Sequence, residues 1–328
     1  MLKVMFSVLV LAIITTAIGY QQLHTTIHSP LNVASNTQFE VKKGMGFNQL
    51  CQQWQANSWL DSCWRYQLVA KLDPSLTELK AGLYELTNDT VLNNIKKINS
   101  GQQISFSFTI IEGQALREVL SALREADNLK YDLDTTQLGQ QIIGQDTHLE
   151  GWLFPETYHY HHNDTASSVL QRAAKKMQQI LAAAWQQRAD DLPYKTSYEA
   201  LIMASIIEKE TGLACERPLI ASAFVNRLNS NMRLQTDPTV IYGLGERFDG
   251  DIKRKDLREH TPYNTYRING LPPTPIAMPS KAAILAAVNP PKTAYVYFVS
   301  KGDGSHQFST TLQQHNAAVK TYILNNKN

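Results

Sequence analysis

An uninterrupted apolar segment near the N-terminus is the feature that most limits how this chain can fold. After Lys3, residues 4–19 carry no charged side chain. A helix that spans a bilayer needs about 17–25 apolar residues, so this segment lies at the short end of that range. We interpret residues 1–20 as a transmembrane signal anchor, with Lys3 on the cytoplasmic side and the rest of the chain outside.

Two other interpretations use the same residues. A cleaved signal peptide would place the small residues Ala17 and Gly19 before the cut, but the apolar core is longer than the usual ~7–15 residues. A buried core helix would not be followed directly by the polar stretch of residues 21–38, which we predict to be a linker. Whether the anchor is cleaved stays open.

Charge and cysteine content exclude several classes of protein. The 31 basic and 29 acidic side chains give a net charge of +2, which provides no electrostatic surface for nucleic acid. No glycine-rich loop of the Walker or dinucleotide type occurs, so no nucleotide cofactor is predicted. The three cysteines are an odd number, which argues against a disulfide framework. Cys51 and Cys63 are candidates for a pair, but their spacing alone does not decide it.

The remaining elements predict an α+β fold in two parts. Residues 39–101 show short strands and short helices, which is typical of a small α+β unit near the size limit for independent folding. Residues 102–328 contain longer helices and form a larger mixed α+β domain. A Gly-Asp-Gly-Ser sequence at residues 302–305 predicts a hairpin turn near its end.

Capping residues predict where three helices of the larger part begin. Thr196 and Glu199 form a capping-box pattern before a helix that ends near residue 211. Asp237 is predicted to cap a second helix, because Pro238 follows it at a position that suits the first turn. Ser280 is predicted to cap a third.

Two glutamates at the end of the helix after Thr196 are candidates for proton transfer. Residues three and four apart share a helix face, so Glu208 lies beside Ala204 and Ser205, whose small side chains suggest open volume for a substrate. Glu210 faces another side. Both lie where the helix dipole disfavours negative charge, which suits a carboxyl that donates protons. A solvated helix end explains the same pattern, and spacing does not choose between the two glutamates.

Three further clusters contain polar and aromatic side chains. Tyr263, Asn264 and Tyr266 precede a proline-rich segment and would suit a sugar-binding wall or a packed surface loop. Gln235 lies in an irregular polar segment that could contact sugar or peptide. Glu150 stands among aromatic residues, where a structural role is favoured over a second catalytic acid. The histidines of residues 159–162 lack the companion ligands that a zinc site needs, so no metal is predicted.

Taken in order, these segments resemble the endolytic murein transglycosylases of the MltG (YceG-like) family. The resemblance covers nearly the whole chain after the anchor, and each motif alone is weak. The motifs that carry it are EGWLFPETY (150–158), ASIIEKET (204–211), FVNRL (224–228), LQTDPTVIYG (234–243), YNTY (263–266) with GLPP (270–273), and GDGSHQF (302–308). Thr274 departs from the family pattern, where glycine is common.

The resemblance implies roles for individual residues and segments. Glu208 matches the catalytic glutamate, which resolves the choice that helix geometry leaves open. The residues implied to line the substrate cleft are Asn226, Gln235, Tyr263, Asn264 and Tyr266. Residues 39–101 take the place of a LysM-like subdomain, and residues 102–328 that of the YceG-like catalytic domain.

The implied activity is cleavage within peptidoglycan. The enzyme would cut between N-acetylmuramic acid (MurNAc) and N-acetylglucosamine (GlcNAc) in nascent strands, leave 1,6-anhydro-MurNAc ends and so terminate elongation, with no cofactor. The resemblance also implies a single pass through the inner (cytoplasmic) membrane, a periplasmic catalytic domain, and penicillin-binding synthases as partners. The alternatives are a non-catalytic peptidoglycan-binding scaffold protein and a hydrolase that acts on the same bond.

The anchor interpretation makes a testable prediction. The full chain should sediment with membranes, resist extraction by high salt, and keep its first 20 residues, because an apolar helix holds it in the bilayer. Membrane fractionation with mass measurement of the intact protein checks this. A soluble product that begins near residue 20 would instead indicate cleavage.

Overall fold

A computed structural model describes residues 2–325 and shows a mixed α+β protein with small sheets, which confirms the predicted fold class. The described chain groups into two units. One contains the residues up to Phe106 together with His159–Asp164. The other contains Ser107–Tyr158 and the chain from Thr165 onward.

The first helix, α1 (Leu2–Ile27), is long and apolar enough to cross a membrane. Its candidate span, Lys3–Ile27, has a mean hydropathy of 1.9, and none of its most apolar stretch is buried by other parts of the protein. These properties are consistent with a single-pass anchor. They are shared by signal sequences, so the alternative of cleavage stays open.

The structure differs from the prediction of a linker at residues 21–38. Helix α1 continues to Ile27, and in its last turn the Thr25 and Thr26 hydroxyls donate to the Gln22 carbonyl at 2.9 and 2.8 Å. Ile27 and Leu31 are then buried in the core of the first unit. Because residues 21–38 are mostly polar, these apolar contacts were not predicted. They hold the segment against the core of the first unit.

The first unit is a two-stranded antiparallel sheet packed against short helices. Phe39 lies opposite Tyr84 in the sheet, and Tyr84 and Trp54 are fully buried in the core. A disulfide joins Cys51 to Cys63, whose Cα atoms are 5.6 Å apart, and so decides the pairing that spacing left open. The elements in chain order are β1 (Thr37–Val41), α2 (Phe47–Ala56), α3 (Trp64–Leu72), a 3₁₀ turn (Pro74–Thr77), β2 (Gly82–Leu86) and α4 (Val91–Ser100).

Two further strands, β3 (Ser105–Thr109) and β4 (Thr157–His161), form a second small sheet. The remaining elements of the second unit are α5 (Leu116–Arg124), α6 (Leu138–Ile143), α7 (Ala166–Gln186), α8 (Ser197–Glu210), α9 (Arg217–Asn229), α10 (Asp237–Leu244), 3₁₀ turns at Gly245–Arg247 and Asp256–Arg258, α11 (Lys281–Val288), β5 (Tyr297–Ser300), β6 (His306–Ser309), α12 (Leu312–Val319) and a π-helical turn (Lys320–Leu324). Strands β5 and β6 form the predicted hairpin, with Phe298 opposite Phe308.

Helix α8 is the centre of the second unit. It packs against α7, α9, α10 and α11, and each residue from Ala200 to Ile207 is buried. A helix that is apolar all round is expected to be buried on all sides. As predicted, Thr196 caps its start by accepting a hydrogen bond from the Glu199 backbone amide.

Two other predicted caps have different outcomes. Ser280 caps α11, as expected, by accepting from the Ala283 amide at 3.2 Å. The prediction for Asp237 is wrong, because Thr236 occupies the cap position and Asp237 is the first helical residue. There an acidic side chain is stabilised by the helix dipole, and its carboxylate accepts from the Tyr266 hydroxyl at 2.7 Å.

Packing around α8 predicts a large stability loss on truncation of Phe224. This side chain is fully buried on α9 and meets Phe298 edge-on, with ring centroids 5.5 Å apart. Phe224→Ala should lower the free energy of unfolding by about 3–5 kcal/mol, because it leaves a cavity. Chemical denaturation measures this loss. Leu285→Ala on α11, which is 41% exposed, is the matched control and should cost far less.

Candidate active site

Glu208 lies where the buried helix α8 leaves the core. Ile207 before it is fully buried, Lys209 after it is exposed, and the Glu208 side chain itself is 5% exposed. A carboxylate so nearly enclosed requires hydrogen-bond donors or a counter-ion to offset its lost hydration. The structure supplies both.

The two oxygens of Glu208 have different partners. Oε2 accepts from the Ser280 backbone amide at 2.9 Å and from the Ser280 hydroxyl. Oε1 accepts from Arg217 Nη2 at 3.3 Å. Oε2 therefore has two donors from one residue at the start of α11, and Oε1 is the oxygen better placed to carry a transferable proton.

The space predicted beside Glu208 is filled on the side of its small neighbours. Ser205 is fully buried, and its hydroxyl accepts from the Ile276 amide at 3.0 Å. This bond holds the chain before Ser280 against α8. The expectation that Ala204 and Ser205 leave open volume is therefore wrong, because their small size admits a neighbouring backbone segment.

A loop before α5 lies on another side of Glu208. Lys209 Nζ donates to the Gly113 carbonyl at 3.1 Å, and the Gly113 amide donates to the Met278 carbonyl at 2.9 Å. Gly113 has φ +79°, and a Cβ added there would lie 4.0 Å from Glu208 Cγ. The positive φ therefore favours glycine at this position, and the loop lies within ordinary van der Waals distance of the carboxyl stem.

Arg217 is positioned by the start of α9. The preceding residue, Glu216, accepts from the His306 amide at 2.8 Å and bonds His306 Nδ1 at 2.7 Å. Both side chains of this pair are nearly buried. The hairpin strand β6 thereby fixes the beginning of α9, and with it the guanidinium beside Glu208.

Glu210, the rival candidate, faces a different environment. Its carboxylate accepts from the Thr236 hydroxyl ahead of α10. Burial raises the pKa of Glu210 to about 7. The two glutamates are therefore separated in their contacts, as the helix geometry predicts.

Glu150 is a second buried carboxyl with a raised pKa. It is 2% exposed, and both its oxygens accept from the Leu116 amide, at 2.9 and 3.1 Å, at the start of α5. Tyr242 donates to Oε2 at 3.0 Å. Burial raises the pKa of Glu150 to about 7 against these bonds. In this arrangement Glu150 connects α5 to α10.

The two tyrosines predicted to form a wall are half-buried. Tyr263 packs on Tyr242, with ring centroids 4.9 Å apart, and its hydroxyl bonds the Thr274 hydroxyl at 2.8 Å. Tyr266 bonds Asp237, and burial raises the pKa of its hydroxyl. Both rings keep part of their surface exposed, as a sugar-contacting face requires.

The three predicted amide side chains are placed differently. Asn264 is 1% exposed and donates to the carbonyls of Asp256 and Glu259, at 3.1 and 2.6 Å, so it braces a loop and does not face a substrate as predicted. Asn226 donates to two carbonyls just before β5, at 2.8 and 2.9 Å. Gln235 is exposed, with φ +50°.

Two residues hold Glu208 without having been predicted as site residues, Arg217 and Ser280. Ser280 was predicted as a helix cap alone, and one hydroxyl performs both tasks by accepting from Ala283 and donating to Glu208. Arg217 follows Glu208 by nine positions, in the next helix. An arginine shortly after a candidate acid is the signal that could have indicated it.

A model of the YceG-like family matches residues 39–321 of this chain. The chain is 33% identical over 267 residues to an endolytic murein transglycosylase of Bacillus subtilis. The alignment covers 74% of this chain and 73% of the Bacillus protein. It is 26% identical over 285 residues to a protein of the same name from Streptococcus pneumoniae, covering 75% of this chain. That match covers 51% of the pneumococcal protein, so the chain spans about half its length.

A solved structure gives the same relationship. A YceG-like protein from Listeria monocytogenes superposes with a TM-score of 0.55 at 28% identity. The superposition covers 87% of this chain and 99% of the Listeria chain.

The raised pKa of Glu210 predicts how stability depends on pH. The folded protein holds this proton more tightly than the unfolded chain, so the contribution is complete below pH about 4.5 and is lost as pH rises through about 7. Glu210→Gln should flatten the decline in unfolding free energy across that window by up to about 1.4 kcal/mol per pH unit.

Denaturation curves at several pH values check this expectation. The exposed Glu246→Gln is the matched control and should follow the wild type. An unchanged slope in Glu210→Gln would contradict the assignment of the raised pKa to this residue.

Proposed function

The chain belongs to the YceG-like family, and from that premise we propose that it is an endolytic peptidoglycan transglycosylase with Glu208 as its proton-transferring group. The observation that carries the proposal is the setting of Glu208 at the exit of the buried helix α8. There its carboxylate is held in one orientation by Ser280 and Arg217.

The reaction requires one carboxyl group that acts twice. Protonated Glu208 donates to the glycosidic oxygen between MurNAc and GlcNAc, and the bond to the anomeric carbon breaks. The N-acetyl group of MurNAc stabilises the positive charge that develops there. The carboxylate of Glu208 then takes the proton of the same sugar's 6-hydroxyl, whose oxygen attacks the anomeric carbon. The products are a 1,6-anhydro-MurNAc end and a new GlcNAc end, and no water is consumed.

The fixed orientation of Glu208 supports this double role. Because Ser280 supplies two donors to Oε2, the same oxygen, Oε1, can give the first proton and receive the second. Preorganised contacts of this kind remove the need to reorient the group between steps. Gln235 and the exposed faces of Tyr263 and Tyr266 are proposed to contact the sugars, and Asn226 and Asn264 to support them by holding loops.

The proposal extends to location and partners. An anchor at residues 1–20 would hold the catalytic domain, residues 102–328, close to the outer face of the cytoplasmic membrane. There it would cut nascent strands as penicillin-binding synthases extend them. Residues 39–101 are proposed to be LysM-like and to contact the glycan.

Analysis of the products tests the proposal. Purified full-length protein should release fragments that end in 1,6-anhydro-MurNAc, which mass spectrometry distinguishes from reducing ends because these are one water heavier. Glu208→Gln should reduce the rate by about 100- to 10,000-fold, the usual range for losing a general acid–base group. Glu246→Gln, an exposed glutamate outside the site, is the control and should retain full activity.

Two results would replace the proposal with another function. Reducing ends alone would identify a hydrolase. Full biological function in Glu208→Gln, without detectable cleavage by the wild type, would identify a binding or scaffolding protein.

A further inference from the structure

The guanidinium of Arg217 makes fewer hydrogen bonds than its N–H groups allow. It reaches Glu208 through one nitrogen at 3.3 Å, although arginine commonly binds carboxylates through two parallel hydrogen bonds. Within the described part of the chain, its buried Nε atom has no hydrogen-bond partner. The side chain is 11% exposed, so part of it is in contact with solvent.

Other charged groups near Arg217 have partners of their own. Glu216 is paired with His306, Glu210 accepts from Thr236, and Lys209 donates to the Gly113 carbonyl. None of these contacts involves the guanidinium. The donors that Arg217 does not give to Glu208 therefore remain for an acidic group from outside the chain.

The contact with Arg217 also opposes the first step of the proposed reaction. Oε2 of Glu208 is occupied by a backbone amide that cannot turn away and by the Ser280 hydroxyl. The transferable proton therefore belongs on Oε1, where an N–H of Arg217 points at the same oxygen. Glu208 can carry and donate that proton only after Arg217 withdraws.

We propose that Arg217 is a specificity residue that binds a carboxylate of the substrate and, in doing so, releases Oε1 of Glu208. The inference rests on the proposed function and identifies the substrate group as a carboxylate near the muramic acid. The charges balance: the substrate carboxylate replaces Glu208 as the counter-ion of Arg217, and Glu208 takes one proton from a hydronium ion or a buffer acid in the solvent. Substrate binding would thus convert the resting carboxylate into the acid.

Two sources provide a carboxylate next to the muramic acid. One is the peptide attached to its lactyl group, and the other is the lactyl group itself when the peptide has been removed. Three substrates of equal glycan length separate them: strands with free peptide carboxylates, strands with those carboxylates converted to amides, and strands without peptides. A preference for the first strand over both others identifies the peptide, and a preference for the third strand over both others identifies the lactyl group.

The test compares kcat/KM of full-length variants on these strands. Wild type should cut a carboxylate-bearing strand about tenfold or more better than the amidated strand, as a charge-assisted hydrogen bond is worth about 1.5–3 kcal/mol. Arg217→Gln should lose this preference, and Arg217→Lys should restore part of it. The exposed Arg254→Gln is the control and should keep the preference of the wild type.

Binding of an uncut probe separates this inference from the proposed function. A disaccharide-peptide monomer, GlcNAc-MurNAc-peptide, contains no MurNAc–GlcNAc bond to cut. Glu208→Gln should bind the free-acid form of this probe more tightly than wild type does, because Arg217 has lost its charged partner. It should bind the amidated form with the same affinity as wild type. Absence of any cleavage, with this binding pattern intact, would reject the proposed function and leave Arg217 as a carboxylate site.

Two results would overturn the inference itself. One is a wild type that shows no preference for carboxylate-bearing strands in cleavage. The other is an Arg217→Gln variant that loses activity equally on all three strands, which is the result expected of a merely structural counter-ion.

Discussion

The burial of helix α8 on all sides is the constraint on which the candidate site depends. With α7, α9, α10 and α11 around it, polar groups are accommodated where they find a partner or where the helix ends. Ser205 finds one in the Ile276 amide, and Glu208 stands at the end. An almost enclosed carboxylate is tolerable because Ser280 and Arg217 donate to it. The contacts that make burial possible also set the direction of each oxygen.

Much of the fold could be predicted from local signals, because those signals act within a few residues. The caps at Thr196 and Ser280 and the hairpin between β5 and β6 depend on turn chemistry and appear as predicted. The errors arose where distant contacts decide. Thr236, not Asp237, occupies the cap position of α10, and Asp237 bonds Tyr266. Leu31 is buried in a core although its sequence neighbours are polar, so its burial was not predicted.

The candidate site was less predictable than the fold. Helix spacing placed Glu208 and Glu210 on different faces but could not rank them, and resemblance to a family supplied the choice. The partners of Glu208 are 9 and 72 positions away, and no periodicity connects residues at such separations. Burial is likewise a property of the assembled chain, which is why the raised pKa of Glu150 could not be foreseen from its aromatic surroundings.

The contact between His306 and Glu216 has a consequence for the order in which the protein becomes competent. Synthesis proceeds from the N-terminus, so the start of α9 is made 90 residues before the strand that fixes it. Until β6 has folded, the guanidinium of Arg217 is not fixed beside Glu208. A chain that ends before β6 would thus contain Glu208 without Arg217 fixed beside it. The strand β6 therefore has to be synthesised and folded before this part of the candidate site is complete.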